Sequence, residues 1–330
     1  MTTAPMSTRG FVRHVAPKGE SVGHHVPGLS DAYRTADAGD LRSAAAKMEA
    51  ILEDREIPLE IRIHLRRTLM EWYADMAQPV PAAKLATENA REACDAYGEC
   101  DEMSLMMRSS ELYWKSQAGY AKDAARRFPK LRRDVERTLG RHDTLAYAVR
   151  NNSAMPHKVM GEYAEAVEIY DELLVDLRKK LKPSDPVVLT TRDNLAEVLA
   201  ADGQLERSSE EYGKVMRGLL EAGSADDPRV LRIRHEIASN THAMGDEVEA
   251  REMWSVLVED CRRYLGECHE ETARQRMLQV LLAVEQRDSE AVVMWCERLL
   301  DNLPPAWPAE EAAVFRQLLD EHREIVAKRG

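Results

Sequence analysis

Between Asp185 and Ala222 the apolar residues fall into two runs of helical spacing with a glycine between them. Val188, Leu189, Leu195, Val198 and Leu199 advance in steps that keep them on one face of a helix. Ser184, Asp185 and Pro186 open that run with a capping side chain and a proline in the first turn. Gly203 predicts its end, because glycine alone turns left-handed without steric cost. A second run, from about Leu205 to Leu220, carries Tyr212, Val215, Met216, Leu219 and Leu220. The pattern predicts two antiparallel helices joined by a short turn. One such pair cannot bury its apolar face alone, and stacked pairs can.

The pattern recurs every 42 residues. Arg66, Arg108, Arg150, Arg192, Arg234 and Arg276 hold that interval, as do Gly119, Gly161, Gly203 and Gly245. Phe128, Tyr170, Tyr212 and Trp254 mark the second helix, and Asp101, Asp143, Asp185 and Asp227 mark the start of successive units. The last unit departs: Arg287 stands at the glycine position and the aromatic, Trp295, arrives one residue early. A fixed period of this length predicts an all-α solenoid of antiparallel helix pairs. The expected layout is a tail over 1–28, a capping helix pair over 29–56, and an array over 57–302. Its units start near 59, 101, 143, 185, 227 and 269, and a capping helix fills 303–330.

The run Asp185-Pro186-Val187-Val188-Leu189-Thr190-Thr191-Arg192-Asp193-Asn194-Leu195-Ala196, followed by Gly203 and Tyr212, resembles a tetratricopeptide repeat (TPR). With the 42-residue period it is similar to the kinesin-light-chain-like branch, in its bacterial form. Asp143 through Arg150-Asn151-Asn152, with Gly161-Glu162-Tyr163-Ala164-Glu165-Ala166, is the second match. The resemblance spans about 57–302, is fullest in the units at 143 and 185, and is thinnest at 59 and 269. It implies a right-handed superhelical solenoid whose concave groove is lined by the first helix of each unit.

In that family, with the arginine counted as the fourth position, the second, fifth, sixth, ninth and twelfth positions face the groove. The positions selected include Met106, Ser109, Ser110 and Tyr113; Asn151, Asn152, Met155 and Lys158; Thr190, Asp193, Asn194 and Glu197; and Arg232, His235, Glu236, Ser239 and His242. Asn152 and Asn194 match the asparagine that contacts peptide backbone in the family, and an amide side chain can both donate and accept. The competing reading is that they bond only to neighbouring helices or water. The resemblance places the arginines against the previous unit, where a guanidinium can bridge helices and pair with a carboxylate. A structural role for Arg108, Arg150, Arg192, Arg234 and Arg276 is therefore expected, rather than an anion-binding stripe.

Net charge is −12, which makes nucleic acid and anionic membrane poor default partners, a local basic strip aside. No apolar run reaches the length of a membrane span, and the N-terminus lacks the continuous apolar core of a secretory signal. Cys94, Cys100, Cys261, Cys268 and Cys296 are odd in number and sit in helical pattern, which suits reduced thiols in a cytoplasmic protein. The excess of arginine over lysine and the abundant alanine read as the mark of a GC-rich bacterial genome. No cofactor, metal or catalytic set is expected. There is no paired-cysteine motif, no phosphate-cradling loop and no nucleophile elbow. The chaperone-type carboxylate clamp is not supplied either.

The leading functional expectation is a non-enzymatic scaffold that holds a partner peptide or protein segment in the groove. A sensor of a small peptide or metabolite, and an accessory presenting a substrate to an enzyme, are the alternatives. Residues 1–28 are rich in Gly and Pro and locally basic through Arg9, Arg13 and Lys18. They read either as a disordered tail or as an arm docked back into the groove. The helix after Trp307 closes the array or supports self-association. Pro129 and Pro156 fall inside predicted helices and should kink them.

Overall fold

The computed structural model describes residues 26–54, 56–223, 227–305 and 307–328. The basic arm, with its two readings, lies almost wholly outside the described residues. Every regular element among the described residues is a helix. The chain divides into two compact units, 1–202 and 203–330, and each is taken by itself.

The first unit begins with α1 (Leu29–Asp37) and α2 (Leu41–Leu52). Helix pairs follow: α3 (Leu59–Asp75) with α4 (Pro79–Tyr97), then α5 (Glu102–Lys115) with α6 (Ala121–Leu139). In the next pair the first helix comes in two pieces, α7 (Thr144–Asn152) and α8 (Met155–Met160), set against α9 (Tyr163–Leu177). α10 (Pro186–Ala201) ends the unit. The second unit holds α11 (Leu205–Glu221), α12 (Pro228–Ala243) with α13 (Glu247–Leu265), α14 (Glu270–Glu285) with α15 (Ser289–Leu300), and α16 (Ala309–Ala327). The division falls at the turn inside the repeat that starts at Asp185, a place the period gives no reason to single out.

The periodic residues punctuate these helices. Asp101, Asp143, Asp185 and Asp227 each accept a hydrogen bond from the backbone N–H two residues on, and His269 Nδ1 does the same in the last unit. Each cap satisfies a donor the helix cannot, worth about 1 kcal/mol. Gly119, Gly161, Gly203 and Gly245 carry φ between 75° and 93° in the turns between paired helices. At the same register Ala77 and Arg287 take φ of 55° and 58°, so the turn is kept where glycine is lost. A second glycine series, Gly98, Gly140 and Gly266, ends α4, α6 and α13. Gly140, at φ 95° and ψ 154°, occupies a region that is essentially closed to side-chain-bearing residues.

Phe128, Tyr170, Tyr212 and Trp254 are all buried in the helix packing. In the last unit the buried side chain at their register is Cys296, while Trp295 is only half-buried, beneath the Arg298 guanidinium 5.0 Å from its ring centroid. The aromatic is therefore not one residue early; the thiol has replaced it. The two prolines differ in effect. α6 continues through Pro129. Pro156 sits in the first turn of α8, after the interruption at Ser153 and Ala154, so the first helix of that repeat is broken rather than bent.

Candidate functional site

Four of the six periodic arginines pin the two helices of a pair together. Arg66 donates to Glu92 at 3.1 Å, Arg108 to Asp134 at 3.1 Å and Arg150 to Asp176 at 2.8 Å, each acid lying 26 residues further on in the second helix. Arg234 pairs likewise with Asp260. The acids therefore repeat every 42 residues, a signal that was present in the sequence but hidden by the many other carboxylates. Gly218 stands at that register for Arg192, and Arg276 reaches back to Glu267 instead. The family position toward the previous unit is only part of the account. Arg108 and Arg276 do donate to the carbonyls of Glu99 and Glu267, in the loop before their own helix. The acid bond, however, lies within the pair.

Asp176 is the most heavily loaded of these acids. Arg141, Arg150 and Lys179 all donate to it, and the Arg141 hydrogen bond foremost holds its carboxyl well below the usual carboxylate range. Arg150 is almost fully buried beside it. Removing either partner would strand a buried charge.

The expected groove residues of the first unit lie on consecutive first helices. Asn152 Nδ2 donates to Ser109 Oγ at 3.2 Å, joining α7 to α5. Asn194 Nδ2 donates to Asn151 Oδ1 at 3.1 Å, joining α10 to α7. The two bonds are one rung repeated: the residue after the arginine in one repeat meets the second residue after the arginine in the next. Asn151 is buried, whereas Asn152 and Asn194 are half-buried. Lys158 of α8 and Glu197 of α10 form an ion pair at 2.5 Å. Met155 is buried and accepts at its sulfur from Gln117 Nε2. Tyr113 is half-buried and stands edge-on to Trp114, with ring centroids 5.4 Å apart. Asp193 is half-buried.

Arg232 and His235 belong to the second unit. The Arg232 guanidinium lies 5.8 Å from the Tyr212 ring centroid, and His235 Nδ1 meets Gln275 Oε1 at 3.3 Å. His242 stacks at a tilt against Trp254, with 5.5 Å between centroids. The structure thus brings together Tyr113, Asn151, Asn152, Met155, Lys158, Asn194 and Glu197 on one set of helices, and places Arg232 and His235 on another.

No cluster of His, Cys, Asp and Glu among the described residues is arranged to hold a metal ion. No helix among them is long and apolar enough to cross a membrane.

Comparison of the chain with protein-family models and with curated proteins gives no match. Solved structures do match. A kinesin-light-chain-type protein from Podosopora anserina, with nearly identical TPR-like repeats, is similar at a TM-score of 0.50 and 20% identity, over 62% of this chain and 95% of that one. BtubC from P. vanneervenii aligns at a TM-score of 0.48 and 17% identity, over 62% of this chain and 82% of that one. A tetratricopeptide repeat protein from Parabacteroides merdae aligns at 0.45 and 15%, over 89% of this chain and 97% of that one. The first likeness, together with the capped, arginine-pinned pairs, gives this chain the TPR-like fold of a helical solenoid.

Proposed function

We propose that the chain is a non-enzymatic scaffold whose first helices hold a segment of a partner protein. The observation that carries this reading is the amide ladder of the first unit. Asn152 and Asn194 each commit the amide nitrogen to a neighbouring helix. A planar amide held by its nitrogen keeps its carbonyl oxygen in a fixed direction, where it can accept from the backbone N–H of an extended segment. Tyr113 would supply apolar contact, Met155 would back the face from beneath, and the Lys158–Glu197 pair would read charge. The array is read as 57–302, capped by 29–56 and 303–330. The five cysteines, none in a disulfide, suit a reducing, cytoplasmic setting.

A photo-crosslinking amino acid placed at Tyr113 tests this, with Val175, exposed on α9, as the control site. The scaffold reading expects one protein segment, identified by mass spectrometry, to be captured at Tyr113 and not at Val175. Capture of the same material from both sites, or turnover of a captured small molecule by the chain alone, would contradict it.

A further inference from the structure

One second helix, α6, carries a surface that the groove reading leaves unused. α6 bears seven cations, Lys122, Arg126, Arg127, Lys130, Arg132, Arg133 and Arg137, against Asp123, Asp134 and Glu136, within a chain of net charge −12. Five of the cations, Lys122, Arg126, Lys130, Arg133 and Arg137, follow one another at steps of three or four and are all exposed. That spacing lines them along one side of the helix. The opposite side is the buried one, where Phe128, Leu131 and Val135 pack against α5 and α7.

The repeat itself does not demand these charges. At the same register 42 residues later, α9 carries Glu168 and Glu172 where α6 has Arg126 and Lys130, and Val175 where α6 has Arg133. The α9 repeat keeps a cation only at Lys179, just past the helix end at the register of Arg137, and α4 and α11 keep two each, Lys84 with Arg91 and Lys214 with Arg217, so the repeat does not require the full stripe. Nor do local carboxylates neutralise it. Arg126 pairs with Asp123 and Arg137 with Asp134, yet those guanidinium side chains remain 78% and 69% exposed. Lys122, Lys130 and Arg133 form no ion pair among the described residues. At the N-terminal end of the stripe an open depression of about 440 Å³ is lined by Lys122, Ala125, Arg126, Met160 and Glu162. Ala125 and Met160 give it an apolar floor.

We infer that this stripe is a second docking surface, and that its occupant is an acidic polypeptide segment with an apolar residue at one end. The stripe is about 22 Å long at the helical rise, the span of about seven extended residues. It is one side chain wide, and the rest of the chain is strongly acidic. A duplex or an anionic bilayer would bring dense negative charge against that acidic remainder as well. A narrow segment with a few carboxylates samples only the stripe, because charges beyond about 8 Å are screened at physiological salt. The apolar end residue would enter the depression beside Met160, fixing the direction of the segment.

The test is fluorescence anisotropy of a labelled peptide with one leucine followed by alternating glutamate and serine, titrated with the full chain at about 50 and about 300 mM salt. Binding to the wild type is expected. The Lys130→Gln, Arg133→Gln variant should bind about tenfold more weakly at low salt, with the gap closing at high salt. A Lys328→Gln, Arg274→Gln control removes the same charge elsewhere and should match the wild type. All three are compared by circular dichroism first, and the substituted side chains are exposed. Absence of peptide binding to the wild type, or an equal loss in the control, would overturn the inference. So would a single-stranded oligonucleotide or a phosphatidylserine vesicle that binds more tightly than the peptide and is lost with the same variant.

Discussion

At the scale of single residues the most consequential contact is the one between Arg150 and Asp176. Asp176→Ala should destabilise the first unit by about 3–5 kcal/mol, since it leaves a buried guanidinium without its carboxylate. Denaturant unfolding of variant and wild type measures this directly. The pH dependence follows from the direction of the shift. Folded Asp176 is held below its ordinary pKa, so its contribution is present in full above the unfolded value of about 4 and is lost as pH falls through the folded value. Wild-type stability should therefore drop more steeply than that of Asp176→Asn below about pH 4; parallel curves would contradict the assignment. The thiols give a second residue-scale outcome. Burial pushes Cys261 up to about 12 and Cys296 up to about 11, while Cys100 and Cys268 are exposed. A maleimide at pH 8 should label Cys100 and Cys268 first and leave Cys261 and Cys296 unmodified in the folded chain, as mass spectrometry of peptides would report. The arginine period was legible at this scale. Its acid partners were not, because a carboxylate 26 residues away looks like any of the chain's many others until the helices are paired.

At the scale of elements the turns decide whether a pair closes. Gly203 has φ 80° and open space around the position of a β-carbon, so Gly203→Ala meets backbone strain alone and should cost about 1 kcal/mol. Gly140, at φ 95° and ψ 154°, lies deeper in forbidden territory, and Gly140→Ala should cost more. Arg287 already occupies the left-handed region without a glycine's freedom, so Arg287→Gly should stabilise the last pair by up to about 1 kcal/mol. Thermal unfolding of the three variants orders these effects. The helix pairs themselves were readable from apolar spacing, since caps, period and glycines agree in most units. The break at Pro156 was readable only as a kink. Proline forbids a donor in either case, and the local sequence Asn152-Ser153-Ala154 does not reveal that the backbone will yield there while α6 runs on through Pro129.

At the scale of the molecule, each unit is built of packed helix pairs, and the proposed function assigns recognition to one face of the first helices. The ladder of Ser109, Asn152, Asn151 and Asn194 shows why that face was only half legible. Its residues could be chosen by register, but register alone does not tell a side chain that bonds to its neighbour from one that waits for a ligand. Here the amide does both jobs in the proposed reading, nitrogen to the scaffold and oxygen to the guest. The arginine and turn-glycine periods run past the division at 202 unchanged, while the acid series is interrupted in that repeat, where Gly218 stands at the register of Arg192's acid.

The most direct measurement uses the Lys158 and Glu197 ion pair. Lys158→Glu with Glu197→Lys keeps an ion pair at the same place and reverses the order of charge along the face. Isothermal titration of the segment captured at Tyr113 should show binding weakened about tenfold or more in the swapped chain, with unchanged unfolding. Equal affinity in the two chains, with both folded, would contradict recognition by this face.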